Sequence, residues 1–185
     1  MDYRNLDRLF AVAERKVSKL IGRTEKELTS VYKDTREEIQ RELAKAFKKY
    51  AVNGTLTRAE LTKYNRLDKL EKRLNTILGK SVISSRSAVK RLSKESVKES
   101  FFTHSWALEQ NIGVAISWGD ISEDVIRSAV ENDLSKIGME RLRNRGRERI
   151  RRTLASGLTR GSSYEQMARE VGSAINGTRN DALRI

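Results

Sequence analysis

Hydrophobic side chains recur every three or four positions along most of this chain, which is the spacing of one face of an α-helix. Residues 2–50 therefore predict one long helix, or two helices in line with a break or kink at Gly22. An apolar stripe on an otherwise polar helix has to be buried. We expect this segment to pack against a partner helix from the same chain or from another.

The segment after residue 50 carries signals for a turn and a second helix. Asn53-Gly54 is a typical turn pair, and Thr57-Arg-Ala-Glu60 has the spacing of a capping box, in which side chains satisfy free amides at a helix start. The apolar positions that follow predict a helix over 57–78 that ends at Gly79, and helical spacing resumes over 81–110. Helix 57–78 and the first helix are expected to form an antiparallel hairpin.

Most of the large aromatic rings fall together in the middle of the chain. We expect the best-packed core to form around Phe101, Phe102, Trp106 and Trp118. The stretch 112–118 alternates weakly between apolar and polar residues and predicts a short extended piece.

Further helices are predicted in the C-terminal third. Capping spacing at Asp120–Glu123 introduces a helix over 121–137, and another helix follows over 139–157. A capping box at Ser162–Glu165 begins one that Asn176-Gly177 is expected to end, before a new helix starts at the next residue.

These patterns predict an all-α protein in which long N-terminal helices, hairpin-like or coiled-coil-like, precede a smaller helical C-terminal domain. We place a long-helix region for partner packing at 1–98 and the smaller domain at 99–185. The composition agrees with this, because the chain has no proline, 34% charged residues and only 6% aromatic residues. Long helices packed side by side suit it better than one compact globule.

The composition also narrows the chemistry. There is no cysteine and His104 is the one histidine, so neither a thiolate metal site nor a histidine-rich zinc site can be built. No serine–histidine–acid or paired-carboxylate spacing stands out, and His104 is interpreted as a core or interface residue. We expect no metal, no cofactor and no enzymatic activity. No apolar run reaches the length of a membrane span, and the N-terminus lacks the apolar stretch of a signal peptide.

The net charge of +13 favours polyanionic or acidic partners, and it is unevenly distributed. Residues 101–138 carry two basic and six acidic side chains, whereas the rest of the chain is basic. The sharpest feature is helix 139–157, with seven arginines. At 100° per residue, one sector of about 80° holds four of them, and these are Arg141, Arg145, Arg149 and Arg152.

An apolar stripe of about 120° lies beside that sector, and the other three arginines lie on its far flank. The stripe consists of Met139, Leu142, Gly146, Ile150, Leu154 and Gly157, and the far-flank residues are Arg143, Arg147 and Arg151. Three interpretations stay open. The arginines are a solvated surface neutralised by the acidic stretch 120–133, they bind an acidic protein, or they contact nucleic acid, because a planar guanidinium suits both carboxylate and phosphate.

Two other nucleic-acid signals are less specific. The lysine-rich stretch 58–98 is interpreted as a solvated surface, with nonspecific contact to a DNA backbone as the alternative. Residues 162–185 imitate a helix-turn-helix, with Ala168 and Gly172 at the separation expected around its turn. The second helix of that motif would contain Asn176-Gly177, which disfavours sequence-specific DNA recognition.

Four segments of the C-terminal half resemble a known family. They are Trp106-Ala-Leu-Glu-Gln-Asn-Ile-Gly-Val114, the helix at 123–134, Glu140–Ile150 and Leu154–Arg169. The run Gly-Leu-x-x-Gly-x-Ser-Tyr-x-x-Met-Ala in the last segment is the most specific. These segments are similar to the phage head morphogenesis family, which comprises minor head proteins like protein F of phage Mu. The resemblance covers residues 100–185.

The resemblance implies a minor capsid protein of a tailed phage, assembled in the host cytoplasm and located in the virion near the portal. Its implied partners are the portal protein, sister copies around the portal ring and packaged double-stranded DNA, without a membrane in the resting state. Its implied role is head assembly, DNA packaging or DNA ejection. Family members continue further, so we expect the natural polypeptide to extend past Ile185. The alternative is a nonspecific nucleic-acid-binding helical protein without a capsid role.

Overall fold

The computed structural model describes residues 3–114, 119, 121–130 and 133–184. Within these ranges the helices are α1 (Tyr3–Tyr50), α2 (Arg58–Thr62), α3 (Arg66–Ile112), α4 (Glu123–Val130), α5 (Asp133–Arg160) and α6 (Tyr164–Ala182), with a 3-10 turn at Lys63–Asn65. The described residues form isolated β-bridges but no strand. The predicted all-α fold with long N-terminal helices is therefore confirmed.

The turn after α1 forms where the sequence predicts it. Asn53 and Gly54 have φ angles of 50° and 76°, the left-handed region that asparagine and glycine tolerate best. Thr57 then caps α2, because its Oγ1 accepts a hydrogen bond from the amide of Glu60 at 3.3 Å. The helix that it starts is only five residues long, and the long helix begins at Arg66 after the 3-10 turn.

Glycine does not end the helices where the sequence suggests it should. α1 runs through Gly22, α3 runs through Gly79 as far as Ile112, and α6 runs through Gly177 as far as Ala182. A glycine inside a helix costs about 1 kcal/mol relative to alanine. Apolar residues are buried on both sides of Gly79 and of Gly177, and their burial outweighs that cost. The predicted breaks at Gly79 and at Asn176-Gly177 are therefore wrong.

The start of α6 is displaced by one residue from the prediction. Ser163, not Ser162, is the N-cap, and Gln166 closes the capping box by accepting from the Ser163 amide at 3.2 Å. Because α6 is one continuous helix from Tyr164 to Ala182, no turn separates Ala168 from Gly172 in the way a helix-turn-helix requires. That motif is absent from the described residues 162–184.

The chain divides into two units, each built from separate stretches of sequence. Unit 1 comprises residues 1–27 and 87–136, and unit 2 comprises residues 28–86 and 137–185. The predicted regions 1–98 and 99–185 were defined by partner packing and family resemblance rather than by contacts within the chain. That division stays a prediction.

Unit 2 holds most of the apolar core. Its largest fully buried side chains come from α1, α3, α5 and α6 and include Tyr32, Ile39, Leu43, Leu74, Leu78, Leu142, Leu154, Met167, Val171 and Ile175. The predicted antiparallel hairpin of α1 and α3 forms here, since Glu42 contacts Arg73 while Tyr32, earlier in α1, lies beside Ser85, later in α3. α6 packs on α1 through an edge-on contact of Phe47 with Tyr164, with ring centroids 5.6 Å apart.

Unit 1 is packed differently, through small side chains and ion pairs. Among the side chains of this unit that the structure describes, the buried ones are Ala13, Thr24, Ala88, Thr103, Ser105, Ala107, Ile126 and Val130. α1 and α3 run antiparallel here too, with Arg91 2.5 Å from Glu27 and Lys16 paired with Glu99. Lys94 reaches Glu123 at the start of α4 at 3.0 Å.

The aromatic cluster is not the best-packed core. Phe102 is 45% exposed and Trp106 is 49% exposed, while Phe101 is half-buried and Trp118 lies outside the described residues. The prediction failed for Phe102 and Trp106 because α3 buries its small residues Thr103 and Ala107 instead. Of the predicted extended piece at 112–118, Ile112 ends α3 and 115–118 also lie outside the described residues.

The helix packing can be tested at Gly146, where an added Cβ would lie 2.9 Å from Leu78 Cδ2 and 3.0 Å from Thr178 Cγ2. We expect Gly146→Ala to lower the free energy of unfolding by about 1–3 kcal/mol, because the methyl group forces α5 away from α3 and α6. Urea denaturation followed by circular dichroism measures the change.

Gly79→Ala is the matched control, because Gly79 is also inside a helix but a Cβ added there would meet nothing within 4 Å. It should raise the free energy of unfolding by about 0.5–1 kcal/mol through helix propensity alone. Equal effects of the two substitutions would contradict the close approach at Gly146.

Candidate acidic-partner or nucleic-acid interface

The apolar stripe of α5 is buried as the sequence predicts. Met139, Leu142, Ile150 and Leu154 are each at most 4% exposed. Gly146 faces Leu78 of α3 and Thr178 of α6, and Gly157 faces Met167 of α6. α5 is thus held against two helices of unit 2 by one narrow face, and the arginines stand on both sides of that face.

The seven arginines of α5 do not share one environment. Three of them form ion pairs: Arg149 with Asp181 at 2.8 Å, Arg152 with Glu148 at 2.8 Å and Arg143 with Glu140 at 3.8 Å. The other four are exposed and form no ion pair among the described residues. These four are Arg141, Arg145, Arg147 and Arg151, and we call them the open arginines.

Arg149 belongs to the fold rather than to the open surface. Its Nη1 lies 2.8 Å from Asp181 Oδ2, and both atoms are buried. The same junction contains Tyr32 of α1 and Ser85 of α3. Burial raises the pKa of the Tyr32 hydroxyl above its ordinary value of 10.0, and the nearby Asp181 carboxylate raises it further, while Ser85 acts in the opposite direction. Four helices therefore meet at one polar cluster.

Two of the open arginines line a shallow groove. The groove has a volume of about 220 Å³ and lies between α3 and α5, where Arg147 and Arg151 face Glu71 and Asn75. Because its lining carries both charges and its walls are open, the groove suits contact with the charged surface of a macromolecule better than enclosure of a small molecule.

The two carboxylates of the acidic stretch 120–133 whose side chains the structure describes pair with cations of their own unit. Glu123 pairs with Lys94 at 3.0 Å and Lys98 at 3.9 Å, and Lys94 holds the pKa of the Glu123 carboxyl below its ordinary range. Asp124 pairs with Arg127 one turn away. All three interpretations of the arginines therefore stay open.

Other candidate chemistry is limited in the described residues. His104 is exposed, with Nδ1 2.6 Å from the Ser100 carbonyl oxygen and its ring 5.2 Å from Phe10. No group of three or more His, Asp or Glu side chains in those ranges is placed to hold a metal ion. No described helix combines the length and apolar composition needed to cross a membrane.

Removal of the Asp181 carboxylate tests whether Arg149 is structural. Asp181→Asn should lower the free energy of unfolding by about 1–2 kcal/mol, because the partly buried guanidinium loses its counter-charge. Glu148→Gln is the control, since the Glu148–Arg152 pair is exposed and should contribute at most about 0.5 kcal/mol. Thermal and urea unfolding would measure both, and an unchanged Asp181→Asn protein would argue against the cluster as a stabilising junction.

The chain was compared with protein-family models, solved structures and curated proteins, and one similarity bears on its function. No family model matches the chain, and no solved structure matches it. Residues of this chain are similar to the "Minor head protein GP7" of Bacillus phage SPP1, with 28% identity over 165 residues, 85% of this chain and 53% of that protein. The chain thus spans about half the length of the curated relative it matches. The similarity supports a phage head protein with a minor head role.

Proposed function

We propose that this chain is a minor head protein of a tailed phage that associates with the portal inside the head and acts in head assembly or in DNA packaging and delivery. The observation that carries the proposal is the similarity to a phage minor head protein along 85% of the chain. In this proposal the chain catalyses no reaction and needs no cofactor. Its relation to protein F of phage Mu remains part of the proposal.

The distribution of exposed apolar side chains supports a partner for unit 1. Nine of the fourteen large hydrophobic side chains that are exposed among the described residues belong to this unit. They are Phe10, Val12, Ile21, Phe102, Trp106, Leu108, Ile112, Val114 and Val125. Exposed apolar surface rimmed by charge commonly marks a protein contact. We assign these side chains to contacts with the portal or with sister copies around the portal ring.

The open arginines support an anionic partner for unit 2. Their four guanidinium groups form no ion pair with the described side chains and are exposed, so they can meet phosphate or carboxylate groups of a partner. Packaged double-stranded DNA and an acidic portal surface both fit this chemistry. A nonspecific nucleic-acid-binding protein without a capsid role would use the same arginines, so the experiment has to separate these possibilities.

The open arginines are tested by replacing all four with glutamine in the phage that encodes the chain. We expect the number of copies per purified particle, measured by quantitative mass spectrometry, to fall several-fold. If DNA is the partner, the slope of log binding constant against log salt for duplex DNA should also fall by roughly 3–4, since each phosphate contact contributes about 0.9.

The matched control replaces four exposed cations of unit 2 that also lack a described ion pair: Lys33, Lys72, Lys80 and Arg86. Fewer copies with an unchanged salt slope would identify an acidic protein partner. A reduced slope in a chain that is absent from wild-type particles would favour the nonspecific nucleic-acid-binding protein. Equal effects of the two quadruple variants would refute a specific role for the open arginines.

The exposed aromatics of unit 1 are tested by Phe102→Gln with Trp106→Gln. We expect a several-fold loss of copies per particle and little change in thermal stability, because both rings are about half exposed in the free chain. Ile83→Gln is the control, an exposed apolar residue of unit 2. Normal incorporation of the double variant would exclude these rings from the portal or sister contact.

A further inference from the structure

A second basic surface lies at the end of unit 2 where α1 ends and α3 begins. It is a groove of about 130 Å³, which we call the basic groove. Five of the side chains that line it are cationic, and Glu42 is the one carboxylate among them. The cations are Lys45, Lys49, Arg66, Lys69 and Arg73. The sequence shows only that lysines are frequent in 58–98, because the groove forms only when α1 and α3 pair.

Two tyrosines hold one of these cations in place. The Arg66 guanidinium carbon lies 4.3 Å from the ring centroid of Tyr50 and 5.1 Å from that of Tyr64. Arg66 Nη1 also donates to the Glu60 carbonyl oxygen at 3.3 Å. The guanidinium is thus fixed by two cation–π contacts and a hydrogen bond. The ring of Tyr64 remains 79% exposed.

The backbone at Tyr64 is in a conformation that large side chains rarely adopt. Tyr64 has φ 57° and ψ 31°, and the next residue, Asn65, has φ 55°. Glycine or asparagine would suit the position of Tyr64 better, and the side chain is largely exposed rather than part of the core. A tyrosine held in this conformation with an open aromatic face is the kind of outlier that marks a binding position.

Basic side chains outnumber acidic ones around the rings, although Glu60 lies 3.9 Å from Arg66. Residues 45–73 contain nine basic and three acidic side chains. Glu42 accepts from Lys45 at 2.6 Å, which holds the pKa of its carboxyl below the ordinary range, and it also contacts Arg73 at 3.4 Å. Lys49 and Lys69 form no ion pair among the described residues, so both ammonium groups are available to an anionic ligand.

We propose that the basic groove binds single-stranded nucleic acid, with phosphates along Lys49 and Lys69 and a base stacked on the open face of Tyr64, which does not line the groove but contacts Arg66 at its wall. Single-strand sites combine a positive groove with an aromatic platform, because unpaired bases expose their π-faces. A duplex hides those faces between its stacked base pairs, so it cannot use the Tyr64 ring in this way. An acidic peptide would bind the cations but would not need the ring. The inference goes beyond the proposed function, which places packaged duplex or an acidic portal surface on the open arginines.

The test uses the full chain and two fluorescein-labelled probes, a thymidine oligomer of about twelve nucleotides and a duplex of the same length. Fluorescence anisotropy should show tighter binding of the single strand. Tyr64→Asn removes the ring but introduces a residue that tolerates the left-handed backbone. It should weaken single-strand binding about tenfold through loss of the stacked base, while duplex binding changes little. Tyr64→Phe, which keeps the ring, should retain the single-strand affinity.

The phosphate contacts are tested separately by Lys49→Gln with Lys69→Gln. This pair should weaken single-strand binding and lower its salt slope by about 1.4, since each contact to a single strand contributes about 0.7. The control pair is Lys33→Gln with Lys80→Gln, two exposed lysines of the same unit that do not line the groove. Its salt slope should stay close to that of the wild type.

Three results would overturn the proposal: equal affinity for single strand and duplex, no effect of Tyr64→Asn on the single strand, or displacement of the oligomer by polyglutamate as readily as by unlabelled oligomer. The last result would identify an acidic protein as the occupant. The outcome is separable from the proposed function. Incorporation into particles reports on the minor head role, whereas the preference for single strands reports on Tyr64.

Discussion

Burial of the apolar stripe of α5 is the constraint on which the arrangement of unit 2 depends. The stripe is narrow, and its middle is a glycine that lets α5 approach Leu78 of α3 and Thr178 of α6. Each large apolar side chain buried there contributes about 1.5–3 kcal/mol. Once that face is fixed, the rotation of the helix about its axis is fixed as well. This rotation places Arg149 against Asp181 of α6 and leaves the open arginines exposed.

The two units differ in how much apolar surface they bury, and this difference is the basis of the contacts proposed for unit 1. Unit 2 encloses large aliphatic side chains from four helices, whereas unit 1 buries mainly alanine, serine and threonine and leaves Phe102 and Trp106 about half exposed. Small buried side chains remove little apolar surface from water, so the core of unit 1 contributes less to the free energy of unfolding. Apolar side chains that the chain does not cover by itself are the expected feature of a subunit that is completed by its neighbours.

Local signals in the sequence were reliable where no other part of the chain competes with them. Asn53-Gly54 forms its turn and Thr57 caps its helix because both need only neighbouring residues. The signals failed at Gly79 and Gly177, where flanking residues are buried against other helices. A local preference worth about 1 kcal/mol cannot end a helix when packing on both sides favours its continuation.

The helical class, the apolar stripe of α5 and its two arginine flanks follow from the order of the residues, because a period of 3.6 residues places side chains around a helix without any tertiary information. Two other features depend on the folded chain: Arg149 pairs with Asp181, 32 positions further along, and Arg66 lies between Tyr50 and Tyr64. The first pair requires α5 and α6 to dock in one orientation, and the second contact requires a turn with an unusual backbone at Tyr64. Neither the docking nor the turn produces a periodic pattern in the sequence.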